Sequence, residues 1–167
     1  RMGINNRRIK MKKIDSIIIH CSATRAEQDI KAKDIDRMHR ARGFSQIGYN
    51  YVIDLDGTIE AGRPLTIAGA HCIGYNDHSV GICYIGGLDT SGKPADTRTP
   101  VQKTAMDDLI NKLTREYEIA ELLGHRDTSR DLNDNGIVEP FEWIKLCPCF
   151  DVREEYKSFL KPIIVQS

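Results

Sequence analysis

The sequence predicts an α/β fold, in which a single domain has a central mixed β-sheet flanked by helices. Short runs of β-branched residues alternate with amphipathic segments of helical period, the order expected when helices cover a sheet. The chain has 167 residues and 40% of them are hydrophobic, which suits one core but not two of normal size. Polar side chains that can perform chemistry follow the ends of several predicted strands, where functional residues commonly lie.

The composition gives no reason to expect a nucleic-acid or membrane partner. Lys plus Arg and Asp plus Glu both number 24, so net charge favours neither nucleic acid nor an anionic membrane. No apolar run has the roughly 18 residues of a membrane span, and no apolar secretory signal is visible near residue 1. The five cysteines are an odd number, and three lie in apolar or small-residue runs typical of reduced thiols. We expect a monomer made in the cytoplasm, without nucleic-acid partners or integral membrane association.

The first thirteen residues, RMGINNRRIKMKK, carry six basic side chains and no acidic one. They show no hydrophobic periodicity that would hold them against a core. A flexible leader and electrostatic attraction to an anionic surface such as a bacterial envelope both explain this composition. We predict a basic flexible tail at residues 1–13 and one domain at residues 14–167.

The first half of the domain contains three clear patterns. Residues 14–21 (IDSIIIHC) predict a central strand that is buried on both faces, with His20 at its carboxyl end. Residues 32–42 predict an amphipathic helix that stops before Gly43. The stretch GYNYVIDLDGTIEAGR alternates as strands do and is interrupted by Asp56-Gly57, which predicts a β-hairpin.

The second half predicts further strands and helices. Residues 79–85 (SVGICYI) form another apolar run of strand length, and residues 99–118 begin with a capping-box sequence and repeat apolar residues every four. A short strand at residues 119–123 places His125 just beyond its end. Residues 151–160 predict a closing helix.

Two histidines and two cysteines are candidate metal ligands. His20 and His125 both follow predicted strands, and adjacent strands would bring the two imidazoles close together. Cys147 and Cys149 add sulfur, and zinc accepts nitrogen and sulfur ligands at about 2.0 to 2.3 Å in a tetrahedral arrangement. Two histidines and one cysteine would leave a fourth position for water, as in catalytic zinc sites. Hydrogen-bonded core histidines are the alternative at this point.

Five segments occur in a characteristic order: IIIHCSAT, IGYNYVIDLDGTIEAGR, AGAHCIGYNDHSVGICYIGG, LLGHRD and KLCPCFD. Together they resemble the zinc-dependent N-acetylmuramoyl-L-alanine amidases of the type 2 amidase and peptidoglycan-recognition-protein superfamily. Among these, the small phage lysozymes with amidase activity are the most similar. The resemblance runs from about residue 14 to about residue 160.

The resemblance implies particular roles for particular residues. It implies Zn²⁺ held by His20, His125 and Cys147, and it leaves Cys149 at a variable position without a ligand role. It implies hydrolysis of the amide bond between N-acetylmuramic acid and the L-alanine of the stem peptide. The zinc ion would activate a water molecule for this reaction.

Four further residues follow from the same resemblance. Tyr49 and Lys145 match the family's catalytic tyrosine and lysine. Lys145 would stabilise the negative charge that develops on the carbonyl oxygen, and Tyr49 would orient the water or assist proton transfer. His71 and Asn76 match the stretch that lines the substrate groove, so we expect them to bind substrate.

Residues 131–142 (DLNDNGIVEPFE) match the calcium-loop pattern D-x-[DN]-x-[DN]-G-x5-E. A structural Ca²⁺ ion and an ordinary exposed turn are both open here, because Asp, Asn and Gly also dominate turns. The small phage lysozymes have only a short connection at this point, so the resemblance does not support calcium. The candidate calcium ligands are Asp131, Asn133, Asn135, Ile137 and Glu142.

Three functional classes are open from the sequence. The leading prediction is a zinc-dependent peptidoglycan amidase that acts on the bacterial cell wall, reached by lysin-type release. The second class is a peptidoglycan-binding module without hydrolytic activity, which Cys147 disfavours because such relatives lack the cysteine ligand. The third is a cysteine peptidase with a Cys–His pair.

Overall fold

A mixed β-sheet organises residues 9–160, the part of the chain that the computed structural model describes. The bounds of its helices and strands are β1 (Ser16–Cys21), β2 (Thr24–Arg25), α1 (Ala32–Ala41), β3 (Tyr51–Ile53), β4 (Ile59–Ala61), β5 (Ser79–Tyr84), β6 (Gly87–Leu88), α2 (Pro100–Glu116), β7 (Glu121–Gly124) and α3 (Val152–Tyr156). Short 3₁₀ helices cover His125–Thr128, Pro140–Glu142 and Lys157–Phe159.

The five main strands lie in the order β4-β3-β5-β1-β7. β1 is parallel to both β5 and β7, β3 is parallel to β5, and β4 is antiparallel to β3. The predicted α/β class and mixed sheet are therefore confirmed. Parallel strands end at a common edge, so this topology gathers the carboxyl ends of β1, β5 and β7.

The two faces of the sheet have different roles. Ile17 and Ile19 of β1 pack on one face, in the core that includes Met106, Ile110 and Leu113 of α2. Successive strand residues point to opposite faces, so the other face of β1 presents Ser16, Ile18 and His20, and that of β5 presents Ser79, Gly81 and Cys83. Every residue of β1 and β5 is buried. Both faces are thus covered, as the apolar runs predicted.

Most predicted elements appear with shifted ends. The hairpin at Asp56-Gly57 is present as β3 and β4, and Gly57 has the positive φ of 86° that its turn requires. Thr99 caps α2 by accepting a hydrogen bond from the Gln102 amide at 3.2 Å. The closing helix is shorter than expected and continues as a 3₁₀ turn. The pair β2 and β6 was not predicted, because two residues carry no detectable periodicity. None of the helices within residues 9–160 is long and apolar enough to cross a membrane.

The last residues of the predicted flexible tail lie against the domain. The Ile9 carbonyl accepts a hydrogen bond from the Ala68 amide at 2.8 Å, and the Lys12 amide donates to the Asp77 carbonyl at 2.6 Å. The Lys12 ammonium also lies 2.9 Å from the Asp77 carboxylate. The boundary predicted at residue 14 therefore falls inside a segment that is hydrogen-bonded to the domain. Residues 1–8 of the predicted tail lie outside the described residues.

The insert at residues 131–142 is closed by its own glutamate. Glu142 is only 3% exposed. Its Oε1 accepts hydrogen bonds from the amides of Leu132 at 2.7 Å and Asn133 at 3.2 Å, and its Oε2 accepts one from the amide of Glu139 at 2.7 Å. The carboxylate therefore joins the start of the insert to its end.

This arrangement does not support the expected calcium site. Within residues 9–160, the one group of three or more His, Cys, Asp or Glu residues whose ligand atoms cluster lies outside the insert. The glutamate that would bind calcium with both oxygens binds backbone amides instead. The residues that match the calcium-loop pattern form a hydrogen-bonded loop in the structure. They are Asp131, Asn133, Asn135, Ile137 and Glu142.

We predict that Glu142→Ala loosens the insert, because three backbone amides lose a charged acceptor. Hydrogen exchange at Leu132, Asn133 and Glu139 should accelerate by at least about tenfold, since a hydrogen bond to a charged group contributes about 1.5 to 3 kcal/mol. Asp134→Asn removes an exposed charge from the same insert and serves as the control. Equal exchange in both variants would show that Glu142 does not close the insert.

Candidate metal centre

Two histidines and one cysteine converge at the edge where β1 and β7 end. The ligand atoms of His20, His125 and Cys147 all lie within 4.8 Å of one another. Ile19 of β1 pairs with Gly124 of β7, so His125 follows at the level of His20. Their ring centroids are 4.6 Å apart. The structure thus brings together the three residues that the sequence offered as zinc ligands.

The segment around Cys147 is tied to the strands by several hydrogen bonds. Cys147 Sγ accepts a hydrogen bond from the Cys21 amide at 3.2 Å, and its carbonyl accepts one from the Arg126 amide at 2.8 Å. The Tyr84 hydroxyl donates to the Pro148 carbonyl at 2.6 Å. These contacts fix the sulfur beside the two imidazoles. Cys149 is not a member of this group.

His20 has a second histidine behind it. His20 Nε2 lies 2.9 Å from His71 Nδ1, and His71 Nε2 lies 3.2 Å from Ser79 Oγ. Burial is the main cause that lowers the pKa of His71 to about 3. Burial, followed by the neighbouring His71 and His125, also lowers the pKa of His20 well below its ordinary value. Both rings are therefore neutral at pH 7, the state in which an imidazole nitrogen can bind a metal.

The two residues expected to bind substrate make contacts within the protein. Asn76 Oδ1 accepts hydrogen bonds from the amides of His71 at 2.8 Å and Cys72 at 2.9 Å. It therefore shapes the loop that carries His71. The ring of His71 is edge-on to that of His20, with centroids 4.9 Å apart. His71 thus contacts His20, and Asn76 contacts the backbone of the loop that carries His71; the sequence pattern did not reveal these contacts. The expected role of both residues in substrate binding stays a prediction.

Tyr49 lies beside the three ligands on the segment that precedes β3. Its ring centroid is 5.0 Å from that of His20. α1 supports this segment, because His39 Nδ1 accepts a hydrogen bond from the Gly48 amide at 2.8 Å. A Cβ at Gly48 would lie 2.0 Å from the Ala70 carbonyl oxygen, so only glycine fits there. Burial raises the pKa of Tyr49 well above its ordinary value, so its hydroxyl remains a hydrogen-bond donor.

His39 is a residue of this site that the sequence reasoning did not single out. It is 7% exposed and its ring centroid lies 5.3 Å from that of Tyr49. The available signal in the sequence was a histidine four residues after Ile35 on a predicted helix that is otherwise rich in charged residues.

Lys145 is exposed and lies two residues before Cys147. Burial is the main cause of the lowered pKa of His20, and the positive charge of Lys145 contributes to it, so Lys145 lies close enough to act electrostatically on His20. It also lines a cavity of about 230 Å³ together with Cys147, Leu88 and Leu146. A larger cavity of about 670 Å³ lies near the end of α2 and contains none of the three ligands. The size of a cavity therefore does not by itself identify the candidate metal centre.

Known proteins with similar sequences and structures identify the family of this chain. The family model for N-acetylmuramoyl-L-alanine amidase matches residues 10–137. The endolysin of Klebsiella phage KP32 is 38% identical over 149 residues, which cover 89% of each chain. The endolysin of Escherichia phage T7 is 37% identical over 144 residues, which cover 86% of each chain.

A solved structure extends the similarity to the fold. The N-acetylmuramoyl-L-alanine amidase LysC from Clostridium intestinale has a TM-score of 0.67 and 28% sequence identity, covering 89% of this chain and 87% of that one. The family model stops before Cys147, whereas the phage relatives match nearly the whole chain. With its mixed sheet and the three clustered ligands at one edge, this chain belongs to the N-acetylmuramoyl-L-alanine amidase family.

Proposed function

We propose that the chain performs its family's reaction with a zinc ion held by His20, His125 and Cys147. The reaction is hydrolysis of the peptidoglycan amide bond between N-acetylmuramic acid and the L-alanine of the stem peptide. The observation that carries the proposal is the convergence of two imidazoles and one thiol at one edge of the sheet. The site of action is the bacterial cell wall, where this bond occurs, and we infer that the chain reaches it as a lysin.

The donor set fits zinc better than a hard cation. Ligands at about 2.0 to 2.3 Å in a tetrahedron lie about 3.3 to 3.8 Å apart, and the three donors already lie within 4.8 Å of one another. None of them is an oxygen, which magnesium and calcium prefer. Three protein ligands leave one position for water or substrate. When bound there, zinc polarises the scissile carbonyl and lowers the pKa of water.

Lys145 supplies a cation beside this centre. No carboxylate within residues 9–160 lies at ion-pair distance from its ammonium group. Its charge is therefore available to the substrate. During attack on an amide, the carbonyl oxygen becomes negative, and a positioned cation stabilises that charge most where water is excluded. We assign Lys145 this role.

Tyr49 supplies a neutral hydroxyl beside His20. Because its pKa is raised by burial, the phenol keeps its proton at neutral pH. A protonated phenol can orient the attacking water by a hydrogen bond or assist the transfer of a proton to the departing nitrogen. The contact between His39 and the Gly48 amide holds the segment from which Tyr49 extends.

A binding module without hydrolytic activity is the alternative function. Such a module needs a groove for peptidoglycan but no thiol beside two imidazoles. The hydrogen bonds that hold the Cys147 sulfur and carbonyl in place favour the hydrolase.

We predict that Lys145→Ala and Tyr49→Phe retain zinc but lose most hydrolysis. Loss of one donor to the developing oxyanion lowers kcat by about 10² to 10³, and loss of general acid–base assistance by about 10² to 10⁴. Zinc content is measured by mass spectrometry of the metal, and hydrolysis by release of stem peptides from purified cell wall.

The matched controls lie away from the metal centre. Lys103→Ala removes a lysine from α2, and Tyr51→Phe removes a hydroxyl from a tyrosine on the opposite face of the sheet. Both should keep normal activity. Full activity in Lys145→Ala or Tyr49→Phe would remove that residue from the mechanism.

We also predict that a zinc chelator abolishes hydrolysis and that added zinc, but not calcium, restores it. The reaction products should include free stem peptides that begin with L-alanine, as mass spectrometry of digested cell wall would show. Activity that persists without metal would instead support a cysteine peptidase. A metal-loaded protein that binds the wall without releasing peptides would support the binding module.

A further inference from the structure

We propose that His71 is a positioning residue that fixes the tautomer of His20, so that Nδ1 of His20 faces the metal. This proposal rests on the zinc site of the proposed function. It follows from a chain of three hydrogen bonds that runs from His20 through His71 and Ser79 to the carbonyl of Tyr75. We refer to these four groups as the hydrogen-bond chain.

The direction of the hydrogen-bond chain is set at its far end. The Tyr75 carbonyl oxygen can only accept, so the Ser79 hydroxyl donates its single proton there, at 2.7 Å. Towards His71 Nε2, 3.2 Å away, the Ser79 oxygen must therefore accept. His71 consequently carries its ring proton on Nε2.

The position of the ring proton on His71 determines the position of the ring proton on His20. A neutral imidazole with its proton on Nε2 has a lone pair on Nδ1. His71 Nδ1 therefore accepts at 2.9 Å, and His20 Nε2 donates. The lone pair of His20 then lies on Nδ1, which is the one ring nitrogen free to bind a metal. The opposite tautomer would place a proton where the metal ion should be.

The ring of His71 is confined to this position. A Cβ at Gly81 would lie 2.6 Å from His71 Cγ, and a Cβ at Gly69 would lie 2.6 Å from His71 Cδ2. The ring thus occupies the space that two side chains would otherwise fill. Asn76 holds the backbone of His71 at 2.8 Å, and Ser79 is fully buried.

The hydrogen-bond chain has a consequence for metal affinity. Groups that hydrogen-bond to the second nitrogen of a ligand histidine orient the ring and raise its basicity, and their loss typically lowers metal affinity by about 10- to 100-fold. In this protein the group is another histidine, and no carboxylate takes part.

The first test compares zinc affinity among three variants, measured by competition with a chromogenic chelator. His71→Phe keeps a ring but removes the acceptor, and we expect its zinc affinity to fall by about 10- to 100-fold. His71→Asn can place Oδ1 where Nδ1 was, and we expect it to restore most of the affinity. His78→Ala removes a histidine whose Nδ1 contacts Asp77, and its affinity should be unchanged.

The second test uses the unmodified protein and does not depend on the folding of any variant. Nitrogen-15 NMR of the histidine rings should show protons on Nε2 of both His20 and His71 in the zinc-free protein. After zinc is added, the shift of His20 Nδ1 should change to that of a metal-bound nitrogen. Zinc on Nε2 of His20, or wild-type affinity in a folded His71→Phe, would overturn the proposal.

Zinc binding at the site and the tautomer of His20 can be tested separately. If the unmodified protein binds no zinc at this site, the proposed function is wrong. If it binds zinc through His20 while His20 Nε2 lacks a proton, the hydrogen-bond chain alone is wrong.

Discussion

The parallel pairing of β1 with both β5 and β7 is the constraint on which the metal centre depends. It sets Ile19 opposite Gly124 and His20 opposite Cys83, so both histidine ligands reach the same edge. A slip of β1 by one residue would turn His20 into the core beneath α2, where Ile17 and Ile19 now pack, so burial of that face favours this register. Packing on one face of the sheet therefore determines the chemistry on the other.

The ligands are supported in two different ways. His20 stands on a buried strand and is braced by His71 from the neighbouring loop, whereas His125 and Cys147 flank the insert. The insert is closed by Glu142, and its end is held to the segment after β7 by Arg126, whose guanidinium lies 3.8 Å from the Trp143 ring centroid. The insert is long in sequence, and its closed form brings Cys147 back to His125 in space.

The fold and the cluster of His20, His125 and Cys147 could be predicted from the sequence for physical reasons. Buried strands and capped helices leave periodic patterns, and the ligands occur in motifs at strand ends. The position of His71 was not accessible in this way, because its contact with His20 joins residues that are 51 positions apart. The calcium pattern is not supported by the structure, because residue types do not specify whether Glu142 turns towards an ion or towards amides. The contacts of residues 9–13 could not be predicted, because they are largely backbone hydrogen bonds, which no side-chain pattern reports.

Gly69 and Gly81 carry a consequence for engineering this fold. Replacing glycine by alanine is a common route to higher thermal tolerance, because it restricts the unfolded chain. At these two positions the extra methyl group would compete for volume with an imidazole that supports a ligand. A library screened only for heat resistance would treat both sites as ordinary strand or loop positions. Variants selected in this way could stay folded and still lose the ability to bind the metal ion.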